Sequence, residues 1–163
     1  MGNYIEKIKS AQEQNIIEVK EYAGEVTFIV KLQGLHSFLS DLKTQQGFDY
    51  LVDIVATDLY EDGDRFEISY NVYNLSTNSR LRIKTKLPEE KPEVPTVTDI
   101  WPSANWYERE QYDMLGIIFV GHPDLRRIYM PEDFEYFPLR KEFPLIGIPG
   151  SMQIPEKDPP KGY

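Results

Sequence analysis

No proline occurs before Pro88, and all twelve prolines of the 163-residue chain lie at or beyond it. Proline lacks an amide hydrogen and fixes φ, so residues 1–87 are free to build ladders and helices while the remainder is confined to short elements, turns and extended stretches. The expected organisation is therefore a regular domain over 1–87 and a connector, helix and loops over 88–144 packing on that domain. An extended tail over 145–163 completes it, with five prolines and three glycines between Pro144 and Tyr163.

In the first half, residues 3–14 read as a short helix with Tyr4, Ile5 and Ile8 on one side. Ile16–Tyr22 and Glu25–Leu32 read as strands joined at Ala23-Gly24, the second alternating with Val26, Phe28 and Val30 on one face. Leu35, Phe38, Leu39 and Leu42 follow helical spacing, which predicts a helix over Leu35–Gln46 stopped by Gly47. Tyr50–Leu59 is nearly continuous in apolar residues and is expected at the centre of the sheet. Phe66–Tyr73 and the strand through Leu81, Ile83 and Thr85 complete a meander, with turns at Glu61–Asp64 and Ser76–Asn78. Arg80, Arg82, Lys84 and Lys86 give that last strand a wholly basic face, read as a solvated outer face or charged edge in preference to a binding surface. The fold class is α+β, a mostly antiparallel sheet flanked by helices, followed by a proline-rich docking segment and extended tail.

In the second half, Ser103 is placed to cap a helix from Ala104 to Leu115, with Gly116 placed to end it. Composition then narrows the chemistry. There is no cysteine, so disulfides, thiol nucleophiles and cysteine-held zinc or iron–sulfur clusters are excluded from this chain. The formal charge of −9 repels nucleic acid and anionic lipid and favours basic protein surfaces as partners. No apolar run approaches the roughly 20 residues a membrane helix needs, and the N-terminal residues do not read as a secretory signal.

The segment Trp106–Pro144 concentrates charge and aromatic rings. Arg109 and Asp113 are spaced to pair along a helix surface. Glu108 and Glu110 point to different sides of the helix, which argues against paired acid–base chemistry. Arg126-Arg127 and Arg140-Lys141 lie among carboxylates and among Tyr129, Phe134, Tyr136, Phe137 and Phe143. Arginine with aromatics is the composition of interface hot spots, although the same residues would also serve to knit the domain to itself. His122 has no evident nucleophile beside it. A mixed metal site from Glu108, Glu110, Asp113 and His122 is conceivable, but nothing in the spacing demands one, and no phosphate-loop or dinucleotide motif is present.

The run Glu108-Arg109-Glu110, Asp113-Met114-Leu115, His122, Arg126 and Ile128-Tyr129 resembles the signature of the C subunit of NADH:quinone oxidoreductase (respiratory complex I), the 30 kDa subunit family. Pro131-Glu132-Asp133, Pro138-Leu139-Arg140-Lys141-Glu142-Phe143-Pro144, Val94-Pro95-Thr96-Val97 and Trp101–Trp106 fit the same family, with Glu142 where Asp is usual and Phe134 where Trp is common. The resemblance implies a non-catalytic peripheral-arm subunit without a cofactor of its own, in a complex that passes electrons from NADH to quinone and translocates protons. FMN and iron–sulfur clusters are then expected in other chains. Docking is expected on the D subunit, near the B and I subunits, through Trp106, Glu108, Arg109, Glu110, Asp113, His122, Arg126, Arg127, Pro138, Arg140 and Lys141. The location implied is the cytoplasmic side of the bacterial inner membrane, peripheral and held through the complex. Two alternatives remain open at this point: the equivalent subunit of a related membrane-bound hydrogenase or other quinone-reducing complex, and a stand-alone metal-dependent enzyme using Glu108, Asp113 and His122.

Overall fold

A computed structural model describes residues 2–60, 63–144 and Gly147. Helix α1 (Gly2–Gln12) and a 3-10 turn (Glu13–Asn15) lead into strands β1 (Ile16–Tyr22) and β2 (Glu25–Val30), followed by a second 3-10 turn (Leu32–Gly34) and α2 (Leu35–Thr44). Strands β3 (Tyr50–Asp58), β4 (Phe66–Asn74) and β5 (Ser79–Leu87) form the meander. Then come β6 (Glu93–Pro95), α3 (Ala104–Leu115) and β7 (Ile118–Val120). Glu61 and Asp62 of the expected turn, and nearly all of the expected tail, lie outside the described residues.

The main sheet has the order β1-β2-β5-β4-β3. Every neighbouring pair is antiparallel except β2 and β5, which run parallel with Phe28 opposite Ile83. Strand alternation places Phe28, Phe66, Ile68, Tyr70 and Ile83 on one face, where they pack with Ile5 and Ile8 of α1 and Phe38 and Leu39 of α2. The second half joins the same core through Val94, Val97, Trp101, Ala104, Leu115, Ile117 and Phe119. Helix α2 stops two residues short of the expected Gln46, and Gly47 follows in the left-handed region at φ +71°.

The position expected for β3 is corrected. It is an edge strand, and β5 is central. Leu51 and Ile54 face the core, whereas Val52 and Val55 are exposed, with a register irregularity between Leu51 and Asp53. Helix α3 covers the free edge of β3, where the Ala56 N–H donates to Gln111 Oε1 at 3.0 Å. The apolar run thus reflects a strand with one face on the core and its edge against a helix. Centrality in a sheet covered on one side shows instead as clean alternation, which β4 and β5 display in full.

The basic face of β5 is neutralised by its neighbours. Arg82 pairs with Glu25 of β2 at 2.9 Å and bonds Asn71 of β4, and Lys84 pairs with Glu67 of β4 at 2.6 Å. Arg80 lies over the Tyr73 ring. The face is an outer face of the sheet and not a charged edge, since β5 is the middle strand.

Candidate docking site

Helix α3 is held at both ends by the chain around it. Upstream, the Trp101 indole N–H donates to Phe48 O at 3.3 Å, pinning the turn before the helix to the core. Ser103 occupies the N-cap position but its side chain makes no capping bond, contrary to expectation. The helix ends at Gly116, with φ +76° and its N–H donating to Tyr112 O at 2.8 Å. A Cβ there would lie 2.7 Å from the Phe137 ring and from Arg140, so both backbone and packing require glycine.

Glu108 is fully buried in the core. Thr96 Oγ1 donates to its Oε2 at 2.6 Å and the Val97 N–H to its Oε1 at 2.7 Å. Burial pushes its pKa up to about 7 against the pull of those two hydrogen bonds, with the Asp99 charge adding to the rise. The Tyr70 hydroxyl, also buried, has no hydrogen-bond partner, and burial together with the Glu108 charge pushes its pKa up. His122 Nδ1 accepts the Asp124 N–H at 2.9 Å, so Nε2 carries the proton and donates to Asn105 O at 3.2 Å. Burial first, then the Arg109 charge, lowers the histidine pKa and keeps the ring neutral. Its Nε2 is 4.0 Å from Glu108 Oε2.

Asp113 organises the loop that follows. Its Oδ2 accepts the backbone N–H groups of Ile128, Tyr129 and Met130 at 2.9, 2.6 and 3.0 Å, and Arg127 Nη1 donates to its Oδ1 at 2.7 Å. Burial raises its pKa, but the three amides and Arg127 together bring it below the ordinary carboxylate value. Arg109 donates to Arg126 O at 3.1 Å and Arg127 O at 3.2 Å, and lies over the Trp106 ring. The expected Arg109–Asp113 surface pair is thus replaced: both side chains turn to the loop backbone. Farther along, Arg127 donates to Tyr136 O at 3.2 Å and stacks on Phe134 and Phe137. Arg140 donates to Leu115 O at 2.7 Å, and the Leu139 N–H donates to Met114 O at 3.0 Å, closing the carbonyl end of α3.

A second anchor joins this segment to the sheet. Arg65 donates to both oxygens of Asp58, at 2.8 and 2.6 Å, and also pairs with Glu89 and Glu142. Asp58 Oδ2 accepts the Lys141 N–H at 2.8 Å. The guanidinium beside it holds the Asp58 pKa at about 2.

Of the residues singled out from sequence, Glu108, Arg109, Asp113, His122, Arg127 and Arg140 are thus engaged internally, while Pro138 is half-buried. Trp106, Arg126 and Lys141 are exposed and Glu110 is partly so; among the described residues Arg126 pairs with exposed Asp124. Tyr129, Tyr136 and Leu139 add apolar surface to this outward set. Glu108 and His122 meet, but Asp113, five residues along the helix from Glu108, serves a different loop. Among the described residues no group of three or more potential ligands is arranged to hold a metal. Sequence reasoning missed Asp58, Arg65, Thr96 and Gln111. The signal for the first two was their position, a carboxylate and an arginine flanking one hairpin turn; Thr96 stood in the Val94–Val97 run of the family resemblance without a role being read for it, and Gln111 gave no signal.

No helix among the described residues is long and apolar enough to cross a membrane. Residues 28–148 match the family described as respiratory-chain NADH dehydrogenase, 30 Kd subunit. A protein named as the C subunit of NADH-quinone oxidoreductase from Geotalea uraniireducens (strain Rf4) is 41% identical over 156 residues, covering 96% of this chain and 91% of the relative. The C 2 subunit of NADH-quinone oxidoreductase from Rhizobium meliloti (strain 1021) is 51% identical over 126 residues, 76% of this chain and 69% of the relative. Among solved structures, the trypsin-resistant fragment (1-134) of Nqo5 superposes with a TM-score of 0.66 at 33% identity, covering 75% of this chain and 96% of the fragment. A chain of the membrane-bound sulfane sulfur reductase, described as an archaeal respiratory membrane complex, gives a TM-score of 0.77 at 27% identity, covering 88% and 85%. With the family model matched over residues 28–148 and a relative 41% identical over 96% of the chain, the chain belongs to the 30 Kd subunit family of respiratory-chain NADH dehydrogenase, the family of the C subunit of NADH-quinone oxidoreductase.

Proposed function

We propose that this chain is a non-catalytic subunit that docks on the D subunit of NADH:quinone oxidoreductase through the outward face of residues 106–144. The observation that carries this is the division of labour within the segment. Its buried charges are spent on bonds within the chain, and what faces solvent includes Trp106, Tyr129, Tyr136 and Leu139 beside Arg126 and Lys141, among the exposed carboxylates Asp124, Glu132, Asp133, Glu135 and Glu142. Aromatic anchors with a neighbouring arginine are the residues that dominate interface energetics. On this reading FMN and the iron–sulfur clusters reside in other chains, the B and I subunits lie nearby, and membrane association on the cytoplasmic side is indirect.

The test is co-expression with the D subunit and measurement of the affinity of the purified pair. Trp106→Ala combined with Arg126→Glu should weaken binding at least about tenfold while leaving the melting temperature of the chain nearly unchanged, since both side chains are exposed. Arg127→Glu should instead destabilise the chain itself, because it places a carboxylate against Asp113. Recovery of an unchanged monomer beside the free D subunit would end the proposal. A second reading, the equivalent subunit of another respiratory membrane complex, is favoured by the likeness to a chain of the sulfane sulfur reductase complex. Co-purification of a flavin-bearing, NADH-oxidising subunit separates the two.

A further inference from the structure

The two edges of the five-stranded sheet are treated differently. Helix α3 covers β3, and Gln111 satisfies one of its edge amides. At the other edge, β1 has β2 as its one ladder neighbour among the described residues. The β1–β2 turn at Ala23-Gly24 has positive φ at both residues, +50° and +81°. A two-residue turn of that kind closes on a hydrogen-bonded pair, here Tyr22 and Glu25, and bonded pairs then alternate along an antiparallel ladder. Lys20 and Glu18 are therefore bonded to β2, while Val19 and Glu21 turn their N–H and C=O groups outward. No other backbone bond among the described residues reaches them.

Beside this edge runs a groove of about 460 Å³. Its walls are Glu6, Lys9 and Ser10 of α1 and Glu13 of the following turn, and its floor is Ile16–Val19 of β1. Ile17 is 63% exposed and Tyr22 86% exposed, large apolar side chains flanking a line of open backbone groups. The charges along it are unbalanced. Lys9 is taken by Glu6 and Lys20 by Glu18, which leaves Glu13 and Glu21 without a cationic partner among the described residues.

We infer that the β1 edge, with the groove under α1, is a strand-addition site for an extended segment of a neighbouring subunit, about five residues long and bearing lysine or arginine between apolar residues. Backbone groups of the incoming segment pair with Val19 and Glu21. Its side chains on the groove side lie along Ile16 and Val19, long enough for a basic head group to reach Glu13 while its aliphatic stem covers the isoleucine. This surface belongs to the first half of the chain and does not depend on how residues 106–144 dock.

The experiment is amide hydrogen exchange on the full chain, free and within the natively purified respiratory complex. The Val19 and Glu21 amides should exchange at least about tenfold more slowly in the complex, and the doubly substituted Glu13→Lys, Glu21→Lys chain in the same complex should return the Val19 amide toward the free rate. Equal exchange in the free and assembled wild-type chain overturns the proposal and makes the irregularity at Ile17 a device that blunts the edge. Protection in the free chain that grows with concentration, with a dimer in sedimentation, also overturns it by assigning the edge to a second copy. Protection that survives the double substitution refutes the basic character of the segment. A weakened affinity for the D subunit with normal exchange at β1 would bear on the docking reading alone.

Discussion

Glu108→Gln tests whether a buried, protonated carboxyl sits at the heart of residues 106–144. Its pKa stands at about 7 against the ordinary glutamate value of 4.5. The unfolded chain releases this proton near 4.5, whereas the native chain keeps it to about 7. Between those values the unfolded state binds fewer protons, so the free energy of unfolding falls as pH rises, and the loss is complete above pH 7. The gap amounts to about 3 kcal/mol, or roughly 6–12 °C in melting temperature for a chain of this size. Glutamine preserves the geometry: its carbonyl accepts the Val97 N–H and its amide donates to Thr96 Oγ1. Urea unfolding followed by tryptophan fluorescence from pH 5 to 8.5 reads the difference between variant and wild type. His122, whose pKa is lowered, contributes stability that rises with pH up to its unfolded value near 6.5, but it is present in both proteins and drops out of the difference. The two proteins should be close at pH 5, and the glutamine variant should be the more stable by up to about 3 kcal/mol at pH 8. Parallel stability curves across that range would refute the argument.

Asp113→Asn should cost about 3 kcal/mol, because it removes the charge shared by three amides and Arg127; hydrogen exchange at Ile128, Tyr129 and Met130 should accelerate with it, and unchanged protection there would sever the loop from the helix. Asp58 acts in the acid range with the opposite sign to Glu108: its native pKa of about 2 lies below the ordinary 3.8, so its contribution is present above 3.8 and is lost as pH falls through 2. Acid unfolding should therefore show a loss of about 2 kcal/mol in that window that Asp58→Asn abolishes, and an unaltered acid transition in the variant would show the Arg65 clasp to be without weight.

What was legible in the sequence was whatever a local period encodes. Val26, Phe28 and Val30 announced β2, Leu35 to Leu42 announced α2, and Gly116 marked the end of α3, because burial on one face repeats at fixed spacing and a left-handed residue favours glycine. The place of β3 was not legible. An apolar run suggests two covered faces, but Val52 and Val55 of this one are exposed, and whether its edge meets a strand or a helix depends on α3, some fifty residues away. The charges of α3 failed for a related reason. Spacing of four predicts that Arg109 and Asp113 pair, yet three amides of residues 128–130 have no ladder to join and claim the carboxylate first. Asp58 and Arg65 were visible only as turn-flanking residues, since their partners Lys141 and Glu142 are more than seventy residues downstream.

These cases share one physical cause. Between Gly121 and Pro144 the chain has no helix or strand, so its peptide groups must find partners without a ladder. Charged side chains supply them: Asp113 takes three N–H groups, Arg109 two carbonyls, Arg127 the carbonyls of Asp113 and Tyr136, Arg140 that of Leu115, and Asp58 the N–H of Lys141. A charge-assisted bond to the backbone is stronger than a neutral one, which lets a loop of irregular shape hold a single geometry against the sheet. These charges are thereby engaged within the chain. On the proposed docking reading, recognition falls to the side chains the backbone does not need, Trp106, Tyr129, Tyr136, Leu139 and Arg126; all but Tyr136 lie in the runs that carry the family resemblance, so that resemblance spans two sets, the residues that hold the loop and the residues proposed to meet a partner. Substitution should separate them: changes in the first set lower stability before they lower affinity, and changes in the second do the reverse.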